Sequence, residues 1–318
     1  MLRLVGIGHA LPAIEVSTEF LAGQISEANP YPWIEFRRTT LPLEYIEATG
    51  NAEPAQAIVV ASESPTSLAV SAVRLALERA QLDPDEIGLI LAGGATPRQT
   101  TPSEAQRIGK LLGLKVPAYD VCSVGADLAL QISSLKKWKK SRIPRYVLCV
   151  STSTATQRVN YRNGSEAFLI GDGACACILS TAGKEGFEIV SAQHRTDMVA
   201  DYHSSIEIYG HLRIVQPAFK DWYSATLEKE LTDFFGYEKG SPTSVCCEQL
   251  VAEQADLIRS CTAEQVQICC ETGKFGYLLG PGGFLALSMK WDHGIECSSV
   301  VVLSGGVGQS FGTVSLKQ

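Results

Sequence analysis

The apolar runs of this chain are short, rich in branched residues, and separated by segments with helical spacing. Runs of this length and composition are typical of buried β-strands. The predicted strands are Leu4–Gly8, Ile87–Ala92, Tyr146–Val150, Ala174–Leu179, Phe187–Ala192, Ser244–Cys247, Val266–Cys270, Val300–Leu303 and Thr313–Leu316. Helical spacing predicts helices over Ser67–Gln81, Pro102–Leu112 and Ala126–Trp138. This alternation predicts an α/β fold whose sheets are covered by helices on both faces.

The length of 318 residues suggests two domains or one large domain. A polar, glycine-containing turn at Ser180–Gly186 divides the chain into two parts with the same strand–helix–strand order. We therefore expect an N-terminal half over residues 1–181 and a C-terminal half over residues 182–318. Residues 193–240 contain histidines and aromatic residues but few strand signals, which predicts an irregular surface segment.

Charge and cysteine spacing exclude several classes of protein. The net charge of −7 argues against a nucleic-acid-binding surface and against a polybasic membrane patch. The ten cysteines include no CxxC pair. Adjacent cysteines on a strand point to opposite faces, which excludes a finger-type zinc site. No cofactor and no metal are expected. The first residues lack a basic segment followed by a long apolar run, so we expect a reduced cytoplasmic protein.

Three motifs are candidates for a functional site. Gly171-Asp172-Gly173 follows an apolar run and is typical of a close backbone turn in which the aspartate bonds nearby amides. A second glycine cluster, Gly305–Gly312, offers amide donors and room for the carbonyl of a ligand. No helix follows it, so it is not a dinucleotide-binding fingerprint. A purely structural turn is the alternative for both clusters. The third motif, Asp120–Ala126, leads into a predicted helix.

In this order and spacing, the three motifs resemble the ketoacyl-ACP synthase III branch of the thiolase superfamily. The resemblance implies the five-layered αβαβα thiolase fold, built from two similar halves. It also implies a dimer in which one strand of each subunit pairs across the two-fold axis, here at Ala118–Tyr119. The resemblance assigns substrate binding to Trp33, to Arg37 or Arg38, and to Arg162, Gly305, Gly306 and Gly308.

The catalytic positions of the resembled family are not retained. In that family a nucleophilic cysteine lies five positions after the aspartate, at a helix N-terminus that lowers its pKa. Here that position is Gly125, and Tyr277 stands where the family has its asparagine. The histidine position falls on Cys247 or, in a rival register, on Glu253. We favour Cys247, because the rival leaves few residues for a helix before Val266–Cys270.

Three other residues are candidate replacements for the missing groups. Cys122 and Ser123 precede the helix, and His203 lies in a segment that could fold over a cleft. For each, a packed or solvated side chain without a chemical role is the favoured interpretation. The basic run Lys136–Lys140 is interpreted as a solvated helix end rather than as a docking surface for an acidic carrier protein.

The lost triad favours one of three functions. The chain is expected to be a non-catalytic ketoacyl-ACP synthase III-like subunit. It would pair with an active homologue, as a heterodimer or heterotetramer, and support acyl transfer or condensation of acyl thioesters in fatty-acyl or specialised biosynthesis. The first alternative is an acyltransferase with altered chemistry acting on acyl-CoA or acyl-carrier thioesters. In it, Gly305–Gly308 would hold the carbonyl and His203 would be the base. The second alternative is a homodimeric acyl-thioester-binding protein.

Overall fold

The computed structural model describes residues 2–17, 57–60, 64–97, 99–159, 170–183, 185–197, 203–206, 212–214, 218–237, 244–251, 253–262, 266–293 and 298–318. The strands in these ranges are β1 Arg3–Ala10, β2 Ile14–Ser17, β3 Ala57–Val60, β4 Ile87–Gly93, β5 Ala118–Asp120, β6 Tyr146–Ser153, β7 Gly173–Ser180, β8 Phe187–Thr196, β9 Ser204–Ile206, β10 Leu212–Ile214, β11 Ser244–Cys247, β12 Gln267–Cys270, β13 Ser299–Gly306 and β14 Ser310–Lys317. The helices are α1 Pro65–Ala80, α2 Glu104–Leu112, α3 Asp127–Lys137, α4 Ala218–Tyr237, α5 Gln254–Cys261, α6 Thr272–Phe275 and α7 Gly282–Lys290.

Ten of these strands form one continuous sheet that repeats a single topology. Its order is β12-β11-β13-β14-β8-β1-β7-β6-β4-β5. Outward from the β1/β8 junction, each side has two antiparallel pairings followed by two parallel ones. The junction itself is narrow, since only Arg3 and Leu4 pair with Glu188 and Phe187. The two sides are therefore two five-stranded halves of the same design.

Helices cover both faces of each five-stranded half and also fill the space between them. In the first half, α1 packs on β1 and β7, and α2 packs on β4 and β5. In the second half, buried side chains of α4 pack with those of β11 and β13. The central helices contact both halves: α3 packs on β6 and β8, and α7 packs on β7 and β13. The result is the five-layered arrangement that the resemblance implies.

The structure confirms the predicted strands and helices, with shifts of a few residues at their ends. The start of α1 shows why these boundaries are readable from sequence. The Ser64 hydroxyl accepts a hydrogen bond from the Ser67 amide, and Pro65 occupies the first helical turn. Both features are typical helix starts. Across the described ranges, the helices fall short of the length and apolar character needed to cross a membrane.

The prediction of an irregular surface segment over residues 193–240 is wrong for its second part. Residues 218–237 form the 20-residue helix α4. Its inner face is buried in the second core cluster, through Phe219, Tyr223, Leu227, Leu231 and Phe234. The aromatic residues that looked like surface features are the part of α4 that packs on the sheet. Polar residues between them concealed the helical period.

Most cysteines are small buried residues, as the sequence suggested. Six of the nine in the described ranges are buried: Cys149, Cys175, Cys177, Cys246, Cys247 and Cys269. Cys246 and Cys247 belong to different core clusters, on opposite faces of β11. Cys261 and Cys270 are partly exposed, and Cys122 is exposed.

Truncation of Leu227 tests the role of α4. Leu227 is fully buried, so Leu227→Ala should lower the free energy of unfolding by about 2–5 kcal/mol. Urea denaturation followed by circular dichroism measures this loss. The matched control is Glu228→Ala on the exposed face of the same helix, which should change stability by less than about 0.5 kcal/mol. Equal effects of the two variants would contradict the packing of α4.

Candidate functional site

Three loops meet at the position where the resembled family has its nucleophile. They are residues 121–126 before α3, residues 276–281 before α7, and residues 305–309, which include the end of β13 and the turn to β14. The Gly125 amide donates a hydrogen bond to Leu279 O at 3.2 Å. On its other side, Gly125 faces the backbone of Gly305 and Gly306. The two halves of the fold thus bring together residues that are far apart in sequence.

Gly125 has a backbone conformation and surroundings that suit only glycine. Its φ is +88°, in the left-handed region. A Cβ atom at this position would lie 3.1 Å from Gly305 C and 3.2 Å from Gly306 N. Any side chain here would be strained by both the backbone and the packing. The loops have therefore closed around a residue that carries no nucleophile.

Tyr277 fills the centre of the site. Its side chain is 1% exposed. The hydroxyl donates a hydrogen bond to Gly305 O at 3.1 Å and accepts one from the Val307 amide at 3.2 Å. An amide of the glycine-rich loop that was expected to hold a ligand carbonyl is thus already bonded to a phenol of the same chain.

Asp127 is a fully buried carboxylate beside Gly125. Its Oδ1 accepts a hydrogen bond from the Ser123 amide at 2.7 Å, and its Oδ2 accepts one from the Ser151 hydroxyl at 2.8 Å. Burial raises the pKa of Asp127 to about 6, although these hydrogen bonds oppose the rise. The carboxylate fixes the loop before α3 to β6. Its position in the first turn of α3 also suits the helix dipole.

Glu248 is a second buried carboxyl group, which no sequence motif indicated. It follows β11, and its Oε1 accepts a hydrogen bond from the Leu278 amide at 2.8 Å, next to Tyr277. Its Oε2 has no hydrogen-bond partner among the described residues. Burial raises the pKa of Glu248 to about 8, so the carboxyl group is mostly protonated at pH 7.

Two thiols near the site, the candidate Cys122 and Cys247 at the histidine position, are unsuited to nucleophilic attack. The Cys122 Sγ donates a hydrogen bond to Gly94 O at 3.4 Å. Desolvation of the thiol and the nearby Asp127 carboxylate raise the pKa of Cys122. Cys247 is 2% exposed, and a hydrogen bond with Cys270 together with burial raises its pKa. A nucleophilic cysteine needs the opposite shift.

Of the other residues that the sequence suggested, the structure places some near the site and does not describe others. Among the described residues, none forms a hydrogen bond with the His203 ring, although the neighbouring Ser204 hydroxyl accepts one from the Gly308 amide at 3.2 Å. Glu253 bonds the Ser224 hydroxyl of α4 at 2.7 Å. The objection to the Glu253 register is wrong, because α5 fits between Glu253 and β12. The predicted substrate-binding residues Trp33, Arg37, Arg38 and Arg162 lie outside the described residues.

Ser123 has a partner that the sequence did not suggest. The His194 Nε2 on β8 lies 2.8 Å from the Ser123 Oγ. The two residues are 71 positions apart, and no spacing pattern connects them. Only the assembled fold brings them together, so sequence reasoning had no signal to find this contact.

The sequence matches a family profile in the region of the Asp120–Ala126 and Gly171–Gly173 motifs. A profile of 3-oxoacyl-[acyl-carrier-protein (ACP)] synthase III matches residues 120–198. A β-ketoacyl-[acyl-carrier-protein] synthase III of Neisseria meningitidis serogroup C is 32% identical over 186 residues, covering 58% of this chain and 53% of the relative. The chain spans about half the length of the curated relatives it matches.

Solved structures extend the match in fold to the whole chain. The 3-oxoacyl-[acyl-carrier-protein] synthase III from Aquifex aeolicus VF5 superposes with a TM-score of 0.82 at 19% identity, with all of both chains covered. The priming β-ketosynthase of the R1128 polyketide pathway gives 0.80 at 20% identity, covering 100% of this chain and 96% of the other. In sequence, part of the chain is similar to ketoacyl-ACP synthase III, and in fold the similarity covers the whole chain. Its fold is thiolase-like.

The Gly-Asp-Gly motif supports the site from behind. The Gly171 amide donates a hydrogen bond to Tyr277 O at 3.1 Å. The Asp172 carboxylate is fully buried and accepts hydrogen bonds from the Thr156 amide at 2.9 Å and the Thr156 hydroxyl at 2.5 Å. The motif therefore holds the Tyr277 loop in place.

Substitution of Gly125 tests how tightly the loops have closed. Gly125→Ala should lower the free energy of unfolding by about 2–4 kcal/mol, because backbone strain and crowding add. The matched control is Gly183→Ala. Gly183 has a φ of +87° but nothing within 4 Å of a Cβ, so only the strain of about 1–2 kcal/mol applies. Chemical denaturation compares the two, and equal losses would mean that the loops have room for a side chain.

Glu248 predicts a pH dependence of stability. Its pKa of about 8 in the folded chain exceeds the ordinary value of 4.5. The folded state thus keeps a proton that the unfolded state releases, and stability falls as pH rises from about 4.5 to about 8. Glu248→Gln cannot ionise and keeps an oxygen for the Leu278 amide. The variant should therefore gain a few kcal/mol over the parent at pH 8 relative to pH 5, as denaturation at both pH values measures.

The control for this comparison is Glu228→Gln, an exposed carboxylate on α4. It should leave the difference between pH 5 and pH 8 unchanged. A Glu248→Gln variant with the same pH dependence as its parent would show that the carboxyl group ionises freely in the folded chain.

Proposed function

We propose that the chain is a ketoacyl-ACP synthase III-like subunit that is non-catalytic in condensation and pairs with an active homologue. In this role it supports the partner's acyl transfer or condensation of acyl thioesters, in fatty-acyl or specialised biosynthesis. The observation that carries the proposal is the Tyr277 hydroxyl, which occupies the Val307 amide. That amide belongs to the loop through which a synthase of this fold is expected to hold a carbonyl.

The lack of a cysteine nucleophile at position 125 supports this role. Gly125 carries no reactive atom, and its surroundings leave little space for a side chain. The nearest thiol, Cys122, has a raised pKa and therefore little thiolate at neutral pH. Without a thiolate at this point, the chain cannot form the thioester intermediate on which the family's condensation depends.

The occupied Val307 amide also supports the proposed role. For a carbonyl to reach the Val307 amide, Tyr277 would have to leave a site in which its hydroxyl makes two hydrogen bonds and its ring is buried. Leaving a buried polar group unpaired costs about 1–3 kcal/mol, and moving the ring would add the loss of its packing. A second subunit with an open site would not meet this obstacle.

The sheet offers an edge for such a partner. β5 is the last strand of the first half, and Tyr119 on it is 39% exposed. The loop that carries Ser123 and Gly125 begins directly after this strand. A partner strand added at β5 would therefore lie close to the closed site. An inert subunit placed there still contributes a rigid surface to its partner.

The altered acyltransferase is less well supported. It requires a vacant carbonyl site at Gly305–Gly308 and a base at His203. Instead, the Val307 amide bonds Tyr277, and His203 makes no hydrogen bond to a described residue of the site. The homodimeric binding protein remains an outcome of the experiment that follows.

Co-expression tests the pairing. The chain should form a stable heterodimer with a cysteine-containing homologue encoded by an adjacent reading frame, as light scattering after gel filtration would show. Ala118→Pro should abolish it. The Val121 amide donates to Ala92 O on β4, and successive amides alternate along a strand, so the Ala118 amide points away from β4. Proline there removes an outward donor without breaking the β4–β5 pairing.

The matched control is Ala118→Ser, which keeps the amide and should leave the heterodimer intact. Two results would overturn the proposal. One is a chain that purifies only with itself and condenses thioesters. The other is an acyl adduct on Cys122 or Cys247 in the intact mass after incubation with acyl-CoA. A homodimer that binds acyl-CoA without turnover would instead support the binding-protein alternative.

A further inference from the structure

The Ser123 hydroxyl lies in a chain of hydrogen bonds that the proposed function does not use. The His194 Nε2 is 2.8 Å from the Ser123 Oγ. The Ser123 hydroxyl donates to the Ser310 Oγ at 2.8 Å, and the Ser310 hydroxyl donates to Gly308 O at 3.3 Å. A serine hydroxyl within hydrogen-bond distance of an imidazole nitrogen has the geometry by which a base activates a nucleophile.

Both partners are held by the backbone. The Ser123 amide is bonded to the buried Asp127 carboxylate at 2.7 Å. His194 lies on β8, where it pairs with Gly312 of β14. The Asp127 contact thus fixes Ser123 within its loop and the strand pairing fixes His194, so the fold sets the distance between nucleophile and base.

The ionisation state of the ring suits a base. Burial, together with the positive charge of Lys137, lowers the pKa of His194. The imidazole is therefore neutral near pH 7 and can accept a proton. The contact also differs from a structural one of the same length in this chain. The His9 Nδ1 lies 2.8 Å from the Ser288 Oγ, but Ser288 is fully buried and also accepts a hydrogen bond from Arg79.

Ser123 and His194 are both half-buried, so neither residue is sealed from solvent. A donor for the developing oxyanion is also at hand. The amide of Val124, the residue that follows Ser123, donates no hydrogen bond to a described residue. In acyl transfer, an amide next to the nucleophile is a common oxyanion donor.

We propose that Ser123, with His194 as its base, is a nucleophile that hydrolyses acyl thioesters. The hydroxyl turns from Ser310 to the His194 Nε2, and Ser123 Oγ attacks the thioester carbonyl while its proton passes to His194. The carbon–sulfur bond breaks, and the thiolate leaves with that proton. Water then attacks the serine ester, with its proton taken by His194 and returned to Ser123. The products are a carboxylic acid and a thiol. No carbanion forms, so this chemistry does not need the family's condensing residues.

The experiment uses the purified full chain, a fluorophosphonate probe and peptide mapping by mass spectrometry. Ser123 should be phosphonylated and Ser288 should not. The chain should also release thiol from S-acetyl-N-acetylcysteamine. Ser123→Ala should abolish both reactions, and His194→Gln should slow both by about 100-fold or more. His9→Gln, which alters the structural histidine–serine contact, should leave both rates unchanged.

A Ser123→Cys variant keeps the contact with His194 and leaves β8 unaltered. It therefore tests whether His194 acts as a base even if His194→Gln does not fold. Its new thiol should be alkylated by iodoacetamide at pH 7 at least about tenfold faster than Cys122, because the imidazole favours the thiolate. Absence of modification at Ser123, rates that do not depend on His194, or an unreactive thiol in Ser123→Cys would each overturn the proposal. Heterodimer formation is read separately, so either proposal can fail without the other.

Discussion

The carboxylate of Asp127 ties together the segments on which the site depends. It receives the Ser123 amide from its own loop and the Ser151 hydroxyl from β6, and Gly280 of the opposite half packs directly against it. A fully buried carboxylate is stable only when its oxygens are bonded, so each of these contacts requires the others. The positions of Gly125, of the Ser123 hydroxyl and of the loop before α7 all follow from this arrangement.

The two changes at the centre of the site are physically consistent with each other. Gly125 brings the loop before α3 close to Gly305 and Gly306, and Tyr277 fills the remaining space and bonds the loop amide. A side chain at position 125 would push this loop apart, whereas a smaller residue than tyrosine would leave a cavity beside Val307. The site is therefore packed like a protein core, and its polar groups bond to one another. Loss of the nucleophile alone would have left an open pocket instead.

Much of the fold was predictable, because short apolar strands and capped helices such as α1 have local causes. The α4 helix was missed because its buried residues are mainly large aromatics separated by polar ones, a pattern that also occurs at surfaces. The resemblance located Gly125, Tyr277 and the glycine-rich loop, since these belong to contiguous motifs. It did not indicate Glu248 or His194. Glu248 contacts Leu278, 30 residues further along the same half, and His194 contacts Ser123 of the other half. Contacts between residues so far apart leave no trace in local spacing.

The central helices have a consequence for how the molecule unfolds. Each half donates one of them to the other: α3 packs on β8 and β14 of the second half, and α7 packs on β1 and β7 of the first. The inner face of each five-stranded half is therefore covered in part by a helix from the opposite half. The two halves share a topology, but neither is completely packed without the other. We therefore expect the chain to unfold in a single cooperative transition.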